Sequence, residues 1–239
     1  MFRSIQGEGR SAGRPVVFVR SSLCNLSCTW CDTDYTWNWV GTPFRHERDA
    51  EPGYRKYERE REIVELEPAA VAALVARHPL RDVVVTGGEP LLQQRDWIAL
   101  MRALRERDAS YRFEVETNGT LVPDAELDAL VAQYNVSPKL ANAGVDAARR
   151  EVAEALRFFA RCERAFFKLV VGSPSDVEEA LALVERQAIP RERVDLMPKA
   201  SGARALDETA RWLADLCAQH GVGYSDRLHV RLWGDERGR

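Results

Sequence analysis

Between Arg20 and Thr33 the chain reads Arg-Ser-Ser-Leu-Cys-Asn-Leu-Ser-Cys-Thr-Trp-Cys-Asp-Thr, a C-x3-C-x2-C array of Cys24, Cys28 and Cys31. Three thiols this close together in a reducing compartment are metal ligands rather than disulfide partners. Zinc sites and most iron–sulfur sites take four protein ligands, and here the local count stops at three. Cys162 and Cys217 sit far away in amphipathic runs and read as small core residues. Two readings stand at this point. A [4Fe-4S] cluster on three cysteines leaves one iron open to an outside ligand, whereas a zinc ion needs a distant His or Cys to complete its set.

The strand just before the array, Val16 to Arg20, is a continuous β-rich run that reads as buried and feeds the cysteine loop. After it, strands and helices alternate. Helices are expected at Pro68–Arg77, Gln94–Arg107, Asp124–Gln133, Val145–Phe159, Asp176–Arg186 and Leu206–Gln219. Strands are expected at Val83–Val85, Tyr111–Glu116, just before Ser137, at Phe166–Val171 and at Arg193–Met197. About six strands, most followed by a helix, predict an α/β chain with mostly parallel strands arranged as an incomplete (β/α) barrel. At 239 residues and 45% apolar content, one domain over residues 1–239 has core enough. The segment at about 34–62, aromatic at first and then dense in charge, interrupts the pattern and reads as an insertion with a solvated surface.

Several loops at strand ends carry chemistry. Phe2–Gly9 sets Gln6 and Glu8 among glycines that let the backbone approach a ligand. Arg20 ends its strand beside the cysteine loop, where a guanidinium can fork onto a carboxylate. Asp32 and Thr33 follow the last cysteine as hard oxygen donors of the kind Mg²⁺ takes, or equally as a turn or cap. Thr86-Gly87-Gly88-Glu89-Pro90 turns sharply after a strand and bares backbone polar groups. Glu116-Thr117-Asn118-Gly119 lies at a strand's C-terminal end, where open α/β sheets and barrels build their sites. The chain has only four lysines, Lys56, Lys139, Lys168 and Lys199, so a lysine inside a motif is the more notable; Lys139 follows Ser137-Pro138, and Lys168 stands within the strand at Phe166–Val171.

The formal net charge of −3 gives no electrostatic case for nucleic acid or a membrane surface. No apolar run approaches the roughly 20 residues that a span needs. Met1 to Arg10 is polar and Gly-rich, without the character of a signal peptide. The expected location is cytoplasmic, with no nucleic acid and no membrane among the partners.

The C-x3-C-x2-C array with Trp30 before its last cysteine resembles the radical S-adenosylmethionine (SAM) superfamily. Within it, F-x-S-x-Q-G-E-G over Phe2–Gly9, C-D-T over Cys31–Thr33 and R-L-H-x-x-x-W-G-x-x-R-G over Arg227–Gly238 resemble the 7-carboxy-7-deazaguanine synthase (QueE) family. The resemblance implies a [4Fe-4S] cluster on Cys24, Cys28 and Cys31, SAM chelated at its open iron and cleaved to a deoxyadenosyl radical, and Mg²⁺ held by Thr33. It implies a pterin substrate, 6-carboxy-5,6,7,8-tetrahydropterin, touched by Ile5, Gln6, Gly7, Arg20 and Thr86. SAM contacts fall to Trp30, Asp32, Gly88, Ser137, Pro138, Lys139, Met197, Pro198, Lys199 and Ala200. It further implies the queuosine or 7-deazapurine pathway, a homodimer, and a reductant of the flavodoxin or ferredoxin type. Shorter relatives place a C-terminal carboxylate near the site, which here would be that of Arg239. A glycyl-radical-activating enzyme and a zinc-binding interaction module remain as the two alternatives.

Overall fold

A computed structural model describes every residue except Ser201, Asp235 and Arg239. Eight strands form one sheet in chain order: β1 (Phe2–Ile5), β2 (Pro15–Ser21), β3 (Asp82–Gly87), β4 (Arg112–Thr117), β5 (Gln133–Val136), β6 (Ala165–Val171), β7 (Val194–Pro198) and β8 (Gly223–Tyr224). β1 runs antiparallel to β2, and every later pair is parallel. β1 and β8 are the sheet's two edges, so the barrel is open, as the alternation predicts.

Period-two alternation splits the strands between two environments. Val17, Val19, Val83, Val85, Phe113, Val115, Tyr134, Val136, Phe167, Leu169, Val194 and Leu196 enter one hydrophobic core. Leu100, Met101 and Leu104 of the Gln94–Arg107 helix meet them there, with Val177, Ala180 and Val184 of the Pro174–Arg186 helix. The alternate positions are largely polar, among them Arg20, Thr86, Glu114, Glu116, Gln133, Asn135, Lys168 and Asp195. A concave polar face therefore lies opposite the helix-covered face. Arg20 sits beside Thr86, Glu116 beside Asn135 and Lys168 beside Asp195 in the strand register.

The gap between β1 and β8 is bridged without a ladder. Leu228 N–H donates to Gly7 C=O at 2.8 Å, Gly9 N–H donates to Ser225 Oγ at 2.8 Å, and Arg10 pairs with Asp195 at 3.2 Å. Gly7 has to be glycine: a Cβ there would lie 2.1 Å from His229 Nδ1.

Some local expectations need correction. Phe2–Ile5 is a strand, stapled to β2 by stacking of Phe2 on Phe18 with ring centroids 5.0 Å apart. The helix expected over Asp124–Gln133 spans only Ala125–Asp128, because Ala132 N–H is taken by Phe113 C=O as the chain enters β5. The helix expected over Val145–Phe159 is two pieces, Ala147–Arg150 and Ala153–Arg161, separated by non-helical Glu151 and Val152. Buried Arg150 holds that break, donating to Val145 and Lys139 carbonyls. Cys162 ends the Ala153–Arg161 helix against the core, and Cys217 is buried in the Ala203–His220 helix.

The segment at 34–62 has short helical turns at Asp34–Thr36, Glu47–Ala50 and Arg59–Glu62, and no strand of the sheet. Its charges are not uniformly solvated. Asp34 is 1% exposed, gripped by Arg48 at 3.0 Å and by the Tyr54 hydroxyl at 2.7 Å. No helix among the described residues is long and apolar enough to cross a membrane.

Candidate active site

The cysteine loop leaves β2 over the C-terminal mouth of the sheet. Cys24, Cys28 and Cys31 pack together with Leu26, Trp30, Ala143 and Val145. Their donor set is what a site-differentiated iron–sulfur cube takes, three thiols from one loop. No fourth cysteine is near: Cys162 and Cys217 belong to the separate core under the helices. Among the described residues, no three His, Cys, Asp or Glu side chains sit close enough together to hold a single metal ion. Burial pushes the Cys24 thiol up to about 12 and Cys28 to about 11 and raises Cys31 as well. A cationic centre bound among these sulfurs would lower those values and let them ligate as thiolates.

The Gly87–Pro90 turn fits under this loop by close approach. A Cβ on Gly88 would come within 2.2 Å of the Leu23 carbonyl oxygen and 2.9 Å of Cys24 Cβ. The next residue, Glu89, is fully buried. Its carboxylate accepts from Leu91 N–H at 2.9 Å, Thr117 Oγ1 at 2.9 Å and Asn118 N–H at 2.7 Å. Burial raises its pKa against those bonds. Glu89 thus ties the turn after β3 to the Glu116–Gly119 segment after β4, and its carboxylate is fully engaged.

A cleft of about 690 Å³ opens between the cysteine loop and the polar face of the sheet. Every site residue expected from sequence lines it except Pro138, buried just after β5, and Pro198, the buried last residue of β7. Lys139 Nζ stands 5.5 Å from the Trp30 ring centroid and Lys199 Nζ 6.0 Å, two cations around one indole. Lys139 also donates to Ser137 Oγ at 3.0 Å. Arg20 spends one nitrogen on Gly87 C=O at 3.4 Å, while its buried Nε has no partner. Thr33 Oγ1 lies 3.6 Å from Cys31 Sγ. Gln6 Nε2 donates to Glu116 Oε1 at 2.9 Å.

The cleft also contains a buried charge network that motif reading did not assemble. Lys168 Nζ pairs with Glu8 at 2.5 Å and Glu116 at 3.2 Å. Arg227 Nε reaches Glu8 at 3.0 Å, and its other nitrogens bond Asp32 and the Ala200 carbonyl, the latter at 2.6 Å. Burial opposes each charge, and the partners outweigh it. Glu116 and Glu8 hold Lys168 above the usual lysine range, while Lys168 and Arg227 hold Glu8 well below the carboxylate range. Arg227 lowers half-exposed Asp32 in the same way. His229, 3.8 Å from Glu8, is pushed down by burial. The signals in the chain were Glu8 between glycines, the scarcity of lysine, and the Arg-Leu-His start of the tail. The C-terminal carboxylate expected of Arg239 lies outside the described residues.

The radical SAM superfamily matches residues 18–202. The chain is 40% identical to the 7-carboxy-7-deazaguanine synthase of Pyrobaculum aerophilum, covering 100% of this chain and 95% of that one. It is 35% identical to the enzyme of that name from Halobacterium salinarum, over 98% of this chain and 89% of the relative. Among solved structures it resembles QueE from Escherichia coli, with a TM-score of 0.64 at 26% identity over 96% of this chain and 92% of that one. It also shares its fold with SuiB from Streptococcus suis, solved bound to S-adenosylmethionine, at a TM-score of 0.54 and 14% identity over 88% of this chain and 49% of that one.

Proposed function

This chain belongs to the radical SAM superfamily and, within it, to the 7-carboxy-7-deazaguanine synthase family, and we propose that it converts 6-carboxy-5,6,7,8-tetrahydropterin to 7-carboxy-7-deazaguanine with loss of ammonia. The observation that carries the substrate reading is Arg20. Arg20 is half-buried in the cleft wall, its Nε is buried and unpaired, and Thr86 stands beside it in register. A buried donor without an acceptor costs free energy, about 1–3 kcal/mol for a neutral group and more for a charged one. A substrate carboxylate fills that vacancy with a charge-assisted bond.

When bound, the cluster and SAM supply the radical that abstracts a substrate hydrogen; the chain's residues position the reactants around it. Cys24, Cys28 and Cys31 hold the cluster. Trp30, Asp32, Gly88, Ser137, Lys139 and the Met197–Ala200 stretch form the SAM side, with Pro138 and Pro198 shaping its turns. Lys139 and Lys199 offer cations for a carboxylate on that side, and Trp30 offers an apolar face. Ile5, Gln6 and Gly7 cover the pterin from the β1 edge. Gln6 has its amide fixed by Glu116, leaving its carbonyl oxygen toward Glu8 N–H at 3.3 Å. Thr33 is the protein's Mg²⁺ donor, a hard oxygen beside the cluster loop. The metal there would template the carboxylate and the rearranging ring.

The charge network keeps Glu8 and Lys168 ionised at neutral pH, so the pterin meets fixed charges there rather than a titrating acid. We place the enzyme in the cytoplasm as a homodimer fed by a flavodoxin- or ferredoxin-type reductant. Anaerobic reconstitution with iron and sulfide, followed by SAM, Mg²⁺, a reductant and the pterin, tests the reaction. The expected result is the deazaguanine product. SAM cleavage without that product overturns the substrate assignment, and protein that binds zinc but assembles no iron–sulfide chromophore overturns the whole reading.

A further inference from the structure

Cys31 receives something its two partners do not. Trp37 Nε1 lies 3.4 Å from Cys31 Sγ and donates to it. Cys24 Sγ accepts only from Leu26 N–H at 3.4 Å and, more distantly, from Asn118 Nδ2 at 4.0 Å. Thr33 is the other residue near Cys31 Sγ: its hydroxyl can point either way and has the Mg²⁺ role proposed above, and its backbone N–H also reaches the sulfur.

Trp37 is held in place from all sides by the 34–62 segment. It is 4% exposed. The Asp34–Thr36 turn fixes its backbone, with Trp37 N–H donating to Asp34 C=O at 3.0 Å. Its ring meets Phe44 edge-on with centroids 5.5 Å apart and lies 6.4 Å from His46. The His46 ring is itself bonded through Nε2 to the Cys31 carbonyl at 2.9 Å. Beneath them the Asp34 carboxylate ties Arg48 and Tyr54 together. One residue of the cysteine loop is thus gripped twice by the same segment, once at its sulfur and once at its carbonyl.

We propose that Trp37 is a positioning residue that tunes the cluster: its indole N–H takes electron density from the Cys31 sulfur, and the 34–62 segment exists in part to hold it there. A hydrogen bond to a ligand sulfur stabilises the more electron-rich, reduced cluster and so raises its reduction potential. The packed rings around Trp37 also keep water from that sulfur. The inference rests on the cluster being bound by Cys24, Cys28 and Cys31.

The test is a redox titration of the reconstituted cluster, followed by electron paramagnetic resonance, in the native protein and in Trp37→Phe. Phenylalanine keeps an aromatic ring in the slot and removes the donor. With iron and sulfide content equal in both, the variant's midpoint is expected to fall. The reduced-to-oxidised ratio at a fixed potential should drop several-fold, a tenfold drop corresponding to about 59 mV for a one-electron couple. An unchanged midpoint in a fully loaded variant overturns the proposal while leaving the cluster assignment intact. Failure of the native protein to assemble iron and sulfide overturns the cluster assignment instead. Should Trp37→Phe not load, electron–nuclear double resonance on the native reduced cluster, with ¹⁵N-tryptophan in ordinary and heavy water, decides. A coupled indole nitrogen with an exchangeable proton supports the bond, and absence of both overturns it.

Discussion

Arg227 and Glu8 are 219 positions apart, yet their side chains pair at 3.0 Å inside the cleft. The pair spans the open side of the sheet, because Glu8 follows β1 and Arg227 follows β8. The same guanidinium holds Asp32 of the cysteine loop and the Ala200 carbonyl. Arg227 therefore binds three strand-end segments together, and a planar fork is needed to do it. Arg227→Lys keeps the charge and loses the geometry. The expected result is a folded protein with an unaltered cluster spectrum and a KM for the pterin or SAM raised tenfold or more. Steady-state kinetics with each substrate varied separately will show which side of the cleft loosens.

Lys168 bridges Glu8 and Glu116, and its side chain is 8% exposed. Removing one partner of a buried ion pair leaves uncompensated charge, which costs about 3–5 kcal/mol. Lys168→Met is expected to lower stability by an amount in that range, read from denaturant unfolding with the slope m unchanged. Pairing the change with Glu8→Gln should recover part of the loss, since fewer charges are then stranded. Two additive losses would mean that Lys168 and Glu8 do not interact.

Acid stability follows from the same network. His229 has a folded pKa below its ordinary value, mainly through burial. Its contribution is therefore present above the unfolded histidine pKa of about 6.5 and is lost as pH falls through it. Glu8 is likewise lowered, by Lys168 and Arg227 against burial, so its contribution is lost below about 4.3, the unfolded glutamate value. Thermal melts should show stability declining from pH 7.5 to 5.5 and falling more steeply below pH 4.5. His229→Gln is expected to flatten the first decline and leave the second. A first decline of equal slope in that variant would assign the loss to another group.

How far these features could be read in advance depended on whether their cause was local. β2 and β3 announce themselves by β-branched runs, and the strands β2 through β7 were each placed to within a few residues. The cysteine loop and the turns after β3, β4 and β5 carry their chemistry in contiguous residues, so nearly all of them line the cleft. The role of Lys168 was not legible because it lies in pairing across strands: the residue stands in an apolar run, and only register brings it between Glu8 and Glu116. Trp37 is legible in the sequence only as one of the aromatics that could cover the site, form an interface or pack in the core, because an aromatic after a motif has no periodicity to betray what its N–H will meet. The helix expected through Gln133 failed where Ala132 was claimed by β4, a long-range backbone bond that overrides helical preference. In the 34–62 segment the charge run suggested a wet surface, while Asp34, Arg48 and Tyr54 satisfy one another underneath.

The contact between Gly88 and Leu23 makes the most direct test of how the cysteine loop is seated. Leu23 adopts a left-handed backbone, φ 79°, unusual for a leucine. It is held there by its N–H on the Thr36 carbonyl at 2.9 Å and by Glu89 N–H on its own carbonyl at 2.8 Å. That carbonyl oxygen is the atom a Gly88 side chain would strike at 2.2 Å, with Cys24 Cβ next at 2.9 Å. Both obstacles belong to the loop's own backbone region, so neither can swing aside as a flexible side-chain tip can. Gly88→Ala must therefore shift the start of the cysteine loop or the turn after β3. The core beneath is separate, and global stability should drop by only about 1–3 kcal/mol, the range for overpacking. Cluster loading should suffer far more: after identical anaerobic reconstitution, iron and sulfide per chain are expected to fall by at least half, with the visible absorbance falling in proportion. Full loading with native absorbance in Gly88→Ala would mean that the loop finds its place without this contact, and that the glycine serves only the approach of SAM.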